Sequence, residues 1–437
     1  MQEPSGTRRQ FLWRSAGVAA GLLSGTGNSP AQEKGRFSHS PASFDVASRS
    51  VLVWVRGTSD GQSVQLEWDR VDSFASSTLT QTIRLAKDRD LTHTFALDGL
   101  EPDSVYFYRP VTHAGDRRLV GDTGQVRTAP EVSRAFSFAV SADTLAYYKP
   151  FRLFDTMLAR RPEFFVNLGD TIYADHPKRG FFAGSLELYR DKHAENRDDA
   201  RMQKFMSLTP TFAIWDDHEV QDNFDRTHAS LAAGRQAFIE WWPRRAAGEF
   251  QLYRRFSWGP LADFFLLDTR QYRSPANAPD DADKTMLGTE QKAWLKDGLK
   301  TSRAPLKLIL SPSPFNARSA RDSWAGFPSE RNELNDFVAA NMVHRVLVIS
   351  GDWHMAADLS RVVTAIDEVV VGPIAAWPQF QMEPKNSRLW AQSKRPHVGD
   401  AFNFGYGRIE PTPAGARLTL EIVDIDGNVR FSKIVES

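Results

Sequence analysis

The amino-acid sequence predicts an α/β protein, in which central sheets flanked by helices follow a small all-β sandwich. Between residues 37 and 130, short apolar segments alternate with turn residues, as in a sandwich. From residue 134 onward, strand-like segments alternate with helical ones, as in layered α/β domains. Most of these later strand-like segments run directly into Asp or His, which predicts polar side chains along one sheet edge.

The first region, residues 37–130, is predicted to be a β-sandwich domain. Its strand-like segments are 50–55, 63–68, 81–85, 93–97 and 104–111. The stretch LEPDSVYFY (100–108) resembles the tyrosine corner of fibronectin type III modules, so one of its tyrosines, Tyr106 or Tyr108, is expected to form a hydrogen bond back across the corner. Residues 127–130 look like a last strand that leaves into a linker.

The second region, residues 134–437, is predicted to be one layered domain. Its helical periodicity falls at 151–160, 186–206, 232–245, 289–301 and 329–341. Short alternating strands return over 404–435, with a turn at Asp426-Gly427, and are expected to close the second sheet of this domain.

Composition excludes several kinds of protein. Lys plus Arg and Asp plus Glu number 54 each, so the chain has no basic field for nucleic acid. It has no cysteine, which excludes disulfides, a thiolate nucleophile and thiolate metal ligands. Any bound metal must therefore be held by oxygen and nitrogen.

The first 31 residues are predicted to be an export signal. Thr7-Arg8-Arg9-Gln10-Phe11-Leu12 is a twin-arginine pattern, followed by an apolar stretch to Leu23 and small residues ending near Ala31. The apolar stretch is too short to span a bilayer, and no other segment is predicted to be transmembrane. We expect export through the twin-arginine machinery to the periplasm or the medium; the alternative is a disordered basic tail.

Five short segments carry the candidate chemistry. They are VSAD (140–143), GDTIY (169–173), WDDHE (215–219), LDTRQYR (267–273) and GDWH (351–354). Asp143 and Asp170 each follow an apolar strand, and a carboxylate such as Asp170 is suited to bridge two metal ions. Tyr173 is close enough in sequence to join the same ion as a hard ligand, although a packed core tyrosine is the alternative.

The remaining segments leave further alternatives. Asp217 is a candidate metal ligand with His218 as a general acid, or an aspartate here caps a helix that begins at His218. Asp352 and His354 alternate along an extended segment, so both are expected to face one cluster. Arg270 either binds a phosphate oxygen or pairs with Asp268. Asn316 is either a neutral ligand or a turn residue.

These segments resemble the PhoD-like alkaline phosphatases, a branch of the calcineurin-type metallophosphoesterases. The most specific matches are GDTIY, WDDHEVQDN, LDTRQYR, MLGTEQKAWL, DSWAGFPSER and GDWH, in that order. The resemblance implies phosphate-ester hydrolysis at a cluster of iron and calcium. It implies Asp170, Tyr173, Asp352 and His354 as metal ligands, with Asp217, His218 and Asn223 beside the metals.

One position departs from the family pattern. The family commonly places a cysteine on iron after the first strand, where this sequence has Ser141 and, two residues on, Asp143. Either Asp143 takes that place or the metals differ from iron and calcium.

The sequence thus predicts an exported phosphoesterase that uses a metal-activated hydroxide on small phosphate esters and releases inorganic phosphate. A phosphodiesterase or phospholipase D-type activity at the same site is the first alternative. The second alternative is a non-catalytic exported binding protein with a decayed metal site.

Overall fold

The structure, a computed structural model, describes residues 37–176, 184–245, 248–318 and 322–436. The predicted export signal over residues 1–31 lies outside these described residues and stays a prediction. Within the described part of the chain, no helix combines the length and the apolar character that a membrane crossing requires.

Twenty-two strands and eight helices are labelled in chain order. The strands are β1 (Ala42–Phe44), β2 (Ser50–Arg56), β3 (Ser63–Asp69), β4 (Thr78–Leu79), β5 (Ile83–Arg84), β6 (Thr92–Asp98), β7 (Val105–Ala114), β8 (Arg117–Val120), β9 (Gly124–Arg127), β10 (Phe136–Ser141), β11 (Phe164–Asn167), β12 (Thr211–Ala213), β13 (Arg254–Trp258), β14 (Ala262–Leu266), β15 (Leu306–Ser311), β16 (Val346–Ser350), β17 (Ala356–Asp358), β18 (Asp367–Val370), β19 (His397–Val398), β20 (Asn403–Thr412), β21 (Gly415–Asp424) and β22 (Val429–Glu436). The helices are α1 (Leu153–Ala159), α2 (Leu186–Arg197), α3 (Ala200–Leu208), α4 (Leu231–Trp241), α5 (Gly288–Thr301), α6 (Pro328–Ala340), α7 (Gln379–Met382) and α8 (Pro384–Ser393).

The strands form three sheets, which confirms the predicted mixture of sheets and helices. A nine-stranded sheet has the order β22-β21-β20-β10-β11-β12-β1-β2-β6, and a seven-stranded sheet has the order β13-β14-β15-β16-β18-β17-β19. The third sheet is built on β4-β3-β7-β8, with β5 on β3 and β9 on β7.

Parallel strands form the centre of both large sheets. In the first sheet, β10, β11 and β12 are parallel, and Ser141, Asn167 and Ala213 lie side by side at their carboxyl ends. In the second sheet, β15 and β16 are parallel and end together at Ser311 and Ser350. These strands are mostly apolar and almost entirely buried, as expected of parallel strands covered on both faces. The segments that follow them therefore meet at common edges.

Aromatic side chains join the inner faces of the two large sheets. Phe138 of β10 and Phe164 of β11 each meet the ring of Phe264 on β14 edge-on, with ring centroids 5.4 Å apart. Edge-to-face contacts of this kind add to the free energy gained by burying the rings. The two sheets are thereby held in fixed relation, and so are the segments at their edges.

The N-terminal strands contain the predicted tyrosine corner. The hydroxyl of Tyr106 accepts a hydrogen bond from the backbone N–H of Glu101 at 2.8 Å, which confirms that expectation. Strands β1, β2 and β6 also continue the nine-stranded sheet, because Phe44 of β1 pairs in parallel with Thr211 of β12. The boundary of a separate domain at residue 130 stays a prediction.

Two predicted elements differ from the structure. The single helix over 186–206 is wrong, since the chain breaks between α2 and α3 at Asp199. There the Asp199 carboxylate accepts the backbone N–H groups of Arg201 and Met202, both at 3.0 Å, and so begins a new helix. The last three strands do not close the second sheet: β20 pairs with β10 and extends the nine-stranded one.

Candidate metal centre

The acidic segments follow parallel strands of both large sheets: β10 and β11 are neighbours in the nine-stranded sheet, and β16 belongs to the seven-stranded sheet. Asp143, Asp170 and Asp352 follow β10, β11 and β16 within three residues. All three have left-handed backbone conformations, with φ of 66°, 51° and 71°. Such conformations cost energy in a non-glycine residue and mark places where the surrounding structure fixes a side chain for a purpose. The turn into Asp170 also needs Gly169, whose φ is 110° and whose absent Cβ would lie 2.6 Å from the backbone nitrogen of Asp216.

Three groups of ligand atoms lie within 4.8 Å of one another in the described residues. They are Asp143 with Asp170 and His354, Asp170 with Asp217 and His218, and Asp216 with Asp217 and Asp352. Asp170 belongs to two of them, which is the arrangement expected of a carboxylate that bridges two ions. We name the seven residues of these three groups the carboxylate cluster.

Among the described residues, several buried oxygen atoms of the cluster have no hydrogen-bond partner. These are both carboxylate oxygens of Asp143, Oδ2 of Asp170 and Oδ2 of Asp352. Buried carboxylates are normally paired, because removing an ionised group from water without compensation costs several kcal/mol or more. Oxygen atoms of this kind fit hard cations, so the residues present are suited to hold metal ions.

The electrostatics of the cluster point the same way. Burial and the neighbouring carboxylates raise the pKa values of Asp143, Asp170 and Asp352 well above the usual range of an aspartate. At Asp217 burial also raises the pKa, but the guanidinium of Arg270 and the imidazole of His218 outweigh it and lower the value overall. Added positive charge is what would let the other three carboxylates ionise together.

His354 presents its Nε2 atom to the cluster as an electron-pair donor. Its Nδ1 lies 2.8 Å from the backbone carbonyl oxygen of Trp377, which only accepts, so Nδ1 carries the proton. Nε2 then accepts from the hydroxyl of Tyr173 at 2.8 Å. Burial lowers the pKa of His354 to about 4, which keeps the ring neutral, as a metal-binding imidazole must be.

The sequence left two alternatives for Tyr173, a metal ligand or a tyrosine packed in the core, and the structure shows features of both. Its ring is buried and packs in a small apolar group with Leu145 and Ala376. Its hydroxyl nevertheless points to His354, and burial together with Asp170 and Asp143 raises its pKa well above the ordinary value. The predicted metal-ligand role of Tyr173 stays a prediction.

His218 belongs to the cluster, and its imidazole also contacts the carboxylate of Asp175. Its Nδ1 and Oδ1 of Asp175 are 2.7 Å apart, and its ring stacks on that of Tyr173 at 4.2 Å between centroids. Burial would lower the pKa of His218, but Asp217 and Asp175 raise it to about 9. A protonated imidazole is suited to donate to a leaving oxygen.

Arg270 is paired with Asp216 and not with the side chain of Asp268. Its Nε and Nη2 atoms bond to the two carboxylate oxygens of Asp216, and Nη2 also lies 3.6 Å from Asp217 and 3.9 Å from Asp352. The Asp268 carboxylate instead accepts from the indole of Trp215 at 2.9 Å and from backbone N–H groups that include that of Arg270. Arg270 therefore places a positive charge next to Asp216, Asp217 and Asp352 of the cluster.

Two expectations for local geometry are wrong. No helix begins at His218; Asp217 opens a turn, and the next helix, α4, begins at Leu231. The GDWH segment is not extended, since His354 as well as Asp352 has a positive φ, of 51°. The two side chains consequently reach different groups of the cluster rather than pointing in parallel.

Other predicted residues lie close by in different roles. Asn223 exposes its side chain and gives its backbone N–H to Asp217 at 2.6 Å. Asn316 is buried, and its side chain bonds to Thr364 and Ile366, which are far from it in sequence. The hydroxyl of Ser141 donates to the carbonyl of Asn403 at 3.0 Å, whereas Asp143 reaches the cluster.

Sequence reasoning missed Glu219 as a residue of the site. One oxygen of its buried carboxylate accepts the backbone N–H groups of Asp170 at 3.2 Å and Asp216 at 2.9 Å. The other accepts the backbone N–H and the hydroxyl of Thr171 at 2.6 and 2.7 Å. Glu219 thus holds two acidic segments together. The signal was its place in WDDHE, next to residues already chosen for their chemistry.

The cluster opens into a cavity of about 380 Å³. Polar groups of Asp175, Asp217, His218, Asp352 and His354 lie at its base. Apolar and amide side chains, those of Trp353, Trp377, Gln379 and Met382, form other parts of its wall. This volume admits a small ligand beside Asp352, one of the carboxylates with an unpaired oxygen.

Comparison with known proteins gives consistent matches over most of the chain. The profile of the family described as PhoD-like phosphatase matches residues 138–420, and that of the PhoD-like phosphatase N-terminal domain matches residues 23–130. The chain is 29% identical over 421 positions to alkaline phosphatase D of Bacillus subtilis (strain 168), covering 79% of this chain and 71% of that protein. A solved structure described as PhoD superimposes with a TM-score of 0.77 at 23% identity, over 94% of each chain, and so shares this fold.

Proposed function

The chain belongs to the PhoD-like phosphatase family and is a phosphoesterase, and we propose that it hydrolyses phosphate esters at the carboxylate cluster with the help of bound metal ions. The observation that carries this proposal is the set of unpaired, buried oxygens around Asp170 beside an open cavity. The named activity of its Bacillus relative, an alkaline phosphatase, agrees with a site that would bind anionic esters.

The proposed ligands are the side chains that already meet around Asp170. Asp143, Asp170, His354 and Tyr173 would hold one ion, and Asp170, Asp217 and Asp352 would hold a second. Metals bound there would supply charge neutralisation for the ester and a lowered pKa for an attacking water.

The chain's own residues would complete the reaction. His218 would give a proton to the leaving alkoxide, and Asp175 would keep its ring oriented and charged. Arg270 is fully buried against Asp216, so we assign it to holding the carboxylates rather than to contacting phosphate. Asn223 would act through its backbone N–H, which fixes Asp217.

The donor set favours hard ions, with calcium and iron as the proposed metals. Every candidate ligand offers oxygen or imidazole nitrogen, and the chain has no cysteine for a softer ion. Because Asp143 reaches the cluster and the Ser141 hydroxyl is used elsewhere, we propose that Asp143 replaces the thiolate common in this family.

The first test is release of a chromogenic alcohol from a phosphate monoester and from the corresponding diester, before and after chelation. Loss of turnover on chelation, restored by calcium with iron, is the expected result. Turnover on the diester alone would replace the monoesterase by a phosphodiesterase or phospholipase D-type activity. Purified protein that holds no metal and turns over neither ester would contradict the proposal and favour a binding protein.

We further propose export by the twin-arginine route to the periplasm or the medium. The Thr7–Leu12 pattern and the short apolar stretch after it support this. Replacing Arg8 and Arg9 by Lys keeps the charge, and we expect it to retain active enzyme in the cytoplasm. Unchanged export of the Arg8→Lys/Arg9→Lys protein in fractionated cells would overturn the route.

A further inference from the structure

A short helical segment at the lip of the cavity has no role in the proposed chemistry. It comprises α7, α8 and the residues up to 395, and we call it the lip segment. Gln379 and Met382 of α7 line the cavity, so the segment borders the entrance to the site. Neither α7 nor α8 contains a fully buried residue.

One face of the lip segment is anchored to the protein. The rings of Phe380 and Trp390 pack on the ring of His397, with centroids 5.8 and 5.6 Å away. Both also pack on a small core of Met355, Ala357, Leu359 and Val370. Phe380 and Trp390 therefore hold the segment against the protein. The side of the segment away from these two residues is its outer face.

The outer face is both apolar and basic. Leu389 is 61% exposed and Met382 is 52% exposed. Lys385, Arg388 and Leu389 are spaced three and four residues apart and so share one side of α8. Exposed apolar side chains beside several cations are the combination found on helices that lie at a membrane surface.

The cations of this face have no acidic partner in the described part of the chain. Among the residues that the structure describes, no ion pair involves Lys385, Arg388 or Lys394. The acidic side chain within the segment, Glu383, accepts instead from the side-chain amide of Asn386 at 2.8 Å. The face therefore offers positive charge to an external anionic surface.

We propose that the lip segment docks the protein on an anionic lipid bilayer. Leu389 and Met382 would enter the headgroup region while Lys385, Arg388 and Lys394 lie on lipid phosphates, the division of labour typical of interfacial helices. A soluble polyanion would satisfy the cations but would gain nothing from Leu389. Docking does not depend on the proposed reaction, but it would turn the cavity entrance toward lipid headgroups.

Vesicle co-sedimentation of the purified protein tests the proposal. The vesicles are phosphatidylcholine alone, or an equal mixture with phosphatidylglycerol. We expect binding to the anionic vesicles. Lys385→Glu/Arg388→Glu should weaken this binding about tenfold or more, because it replaces the attraction of two cations to anionic lipid by repulsion. Leu389→Ser should weaken binding as well, because its apolar contact is lost.

A matched control is available at the opposite sheet edge. Lys300 and Met342, which is 74% exposed, lie just before β15 and β16 begin, whereas the site lies where these strands end. The Lys300→Glu/Met342→Ser protein should bind vesicles like the wild type. Equal loss in this control, or no binding by the wild type, would overturn the proposal. So would binding that Leu389→Ser leaves intact and that soluble polyphosphate abolishes, since that marks a polyanion surface.

Discussion

Two regions of this protein bury charge in opposite ways. Around Arg197 of α2, a guanidinium that is only 3% exposed lies against the rings of Trp242, Trp54 and Phe44, at 4.4, 5.1 and 5.8 Å. No ion pair of Arg197 occurs within the described ranges; its Nη2 donates to the carbonyl of Trp241 at 3.0 Å. We call this region the arginine cage. In the carboxylate cluster, by contrast, several anions are buried and their free oxygens have no donors.

The difference shows what a polypeptide can supply by itself. Aromatic faces carry negative charge density, so a chain rich in Trp and Phe can stabilise a buried cation without a counterion. It has no equally compact apolar group for a buried anion, which needs N–H donors or a cation. Folding therefore surrounds Arg197 with aromatic faces, although its Nη1 atom has no hydrogen-bond partner among the described residues, whereas the proposed compensation of the carboxylate cluster comes from ions outside the chain. The cage joins the N-terminal strands to α2 and to Trp242 at the end of α4, whereas the proposed role of the cluster is catalysis.

The largest expected effect breaks the cluster at its shared carboxylate. Asp170→Ala should abolish metal retention and lower turnover about a thousandfold or more, because both groups of ligands lose a member. Metal analysis and kcat/KM measure this together. Asp263→Asn is the control, since Asp263 is also buried but pairs with Arg255 outside the cluster. An Asp170→Ala protein that stays active and metal-loaded would contradict the proposal that Asp170 is the carboxylate shared by two metal ions.

The next effect breaks the arginine cage. Trp242→Ala should lower the free energy of unfolding by about 3–5 kcal/mol. The substitution opens a cavity, and the buried guanidinium of Arg197 loses the aromatic face that stabilises it. Chemical denaturation measures it, and kcat/KM of the folded protein should not change.

A double-mutant cycle with Arg197→Met separates the cation from simple packing. If the guanidinium matters, Trp242→Ala should cost about 1–2 kcal/mol less in the Arg197→Met background. Additive effects would show that Trp242 acts through packing alone.

A smaller effect sharpens the comparison by weakening a support of the cluster without removing a ligand. Glu219→Gln keeps the shape but replaces one accepting oxygen by a donor, which conflicts with the N–H groups of Asp170, Thr171 and Asp216. We expect metal affinity and kcat/KM to fall about 10- to 100-fold, as for residues that orient ligands. The neighbouring exposed Gln221→Glu protein is the control. A Glu219→Gln protein with wild-type metal affinity would make Glu219 merely structural.

The smallest effect contrasts the two regions through pH. Burial lowers the pKa of His193, beside Trp241 of the cage, to about 3, so below pH 6.5 the unfolded chain binds a proton that the native state does not. Stability therefore falls as the pH drops, by about 2 kcal/mol at pH 5. His193→Phe should remove this loss, as seen by urea unfolding at pH 7 and pH 5.

The metal-free cluster should respond in the opposite direction. Because burial raises the pKa of Asp143, the native state binds a proton before the unfolded chain does, and stability rises as the pH falls toward the ordinary range of an aspartate. Asp143→Asn should remove that gain in the metal-free protein. If His193→Phe and Asp143→Asn changed the pH dependence of the free energy of unfolding in the same direction, the two regions would not bury charge in opposite ways.

Much of the site could be predicted because its signals are local. Each apolar strand followed by Asp places a carboxylate at a strand end, and parallel pairing is inferred from the alternation with helices. The structure brings Asp170 together with Asp217 and with His354, and the bridging role of Asp170 stays a prediction. What failed was conformation over a few residues: the break at Asp199 and the turn at Asp217 depend on side-chain hydrogen bonds that periodicity does not register.

The sequence by itself determined the fold class, the absence of thiolate ligands, and which segments carry acid and imidazole groups. Only the tertiary structure decided that Arg270 pairs with Asp216, that Glu219 holds the backbone of Asp170, and that Arg197 is enclosed by rings from β1, β2 and α4. The reason is physical. Local pattern fixes which face and strand end a residue occupies, but partners that are many residues apart in sequence meet only when whole sheets and helices pack.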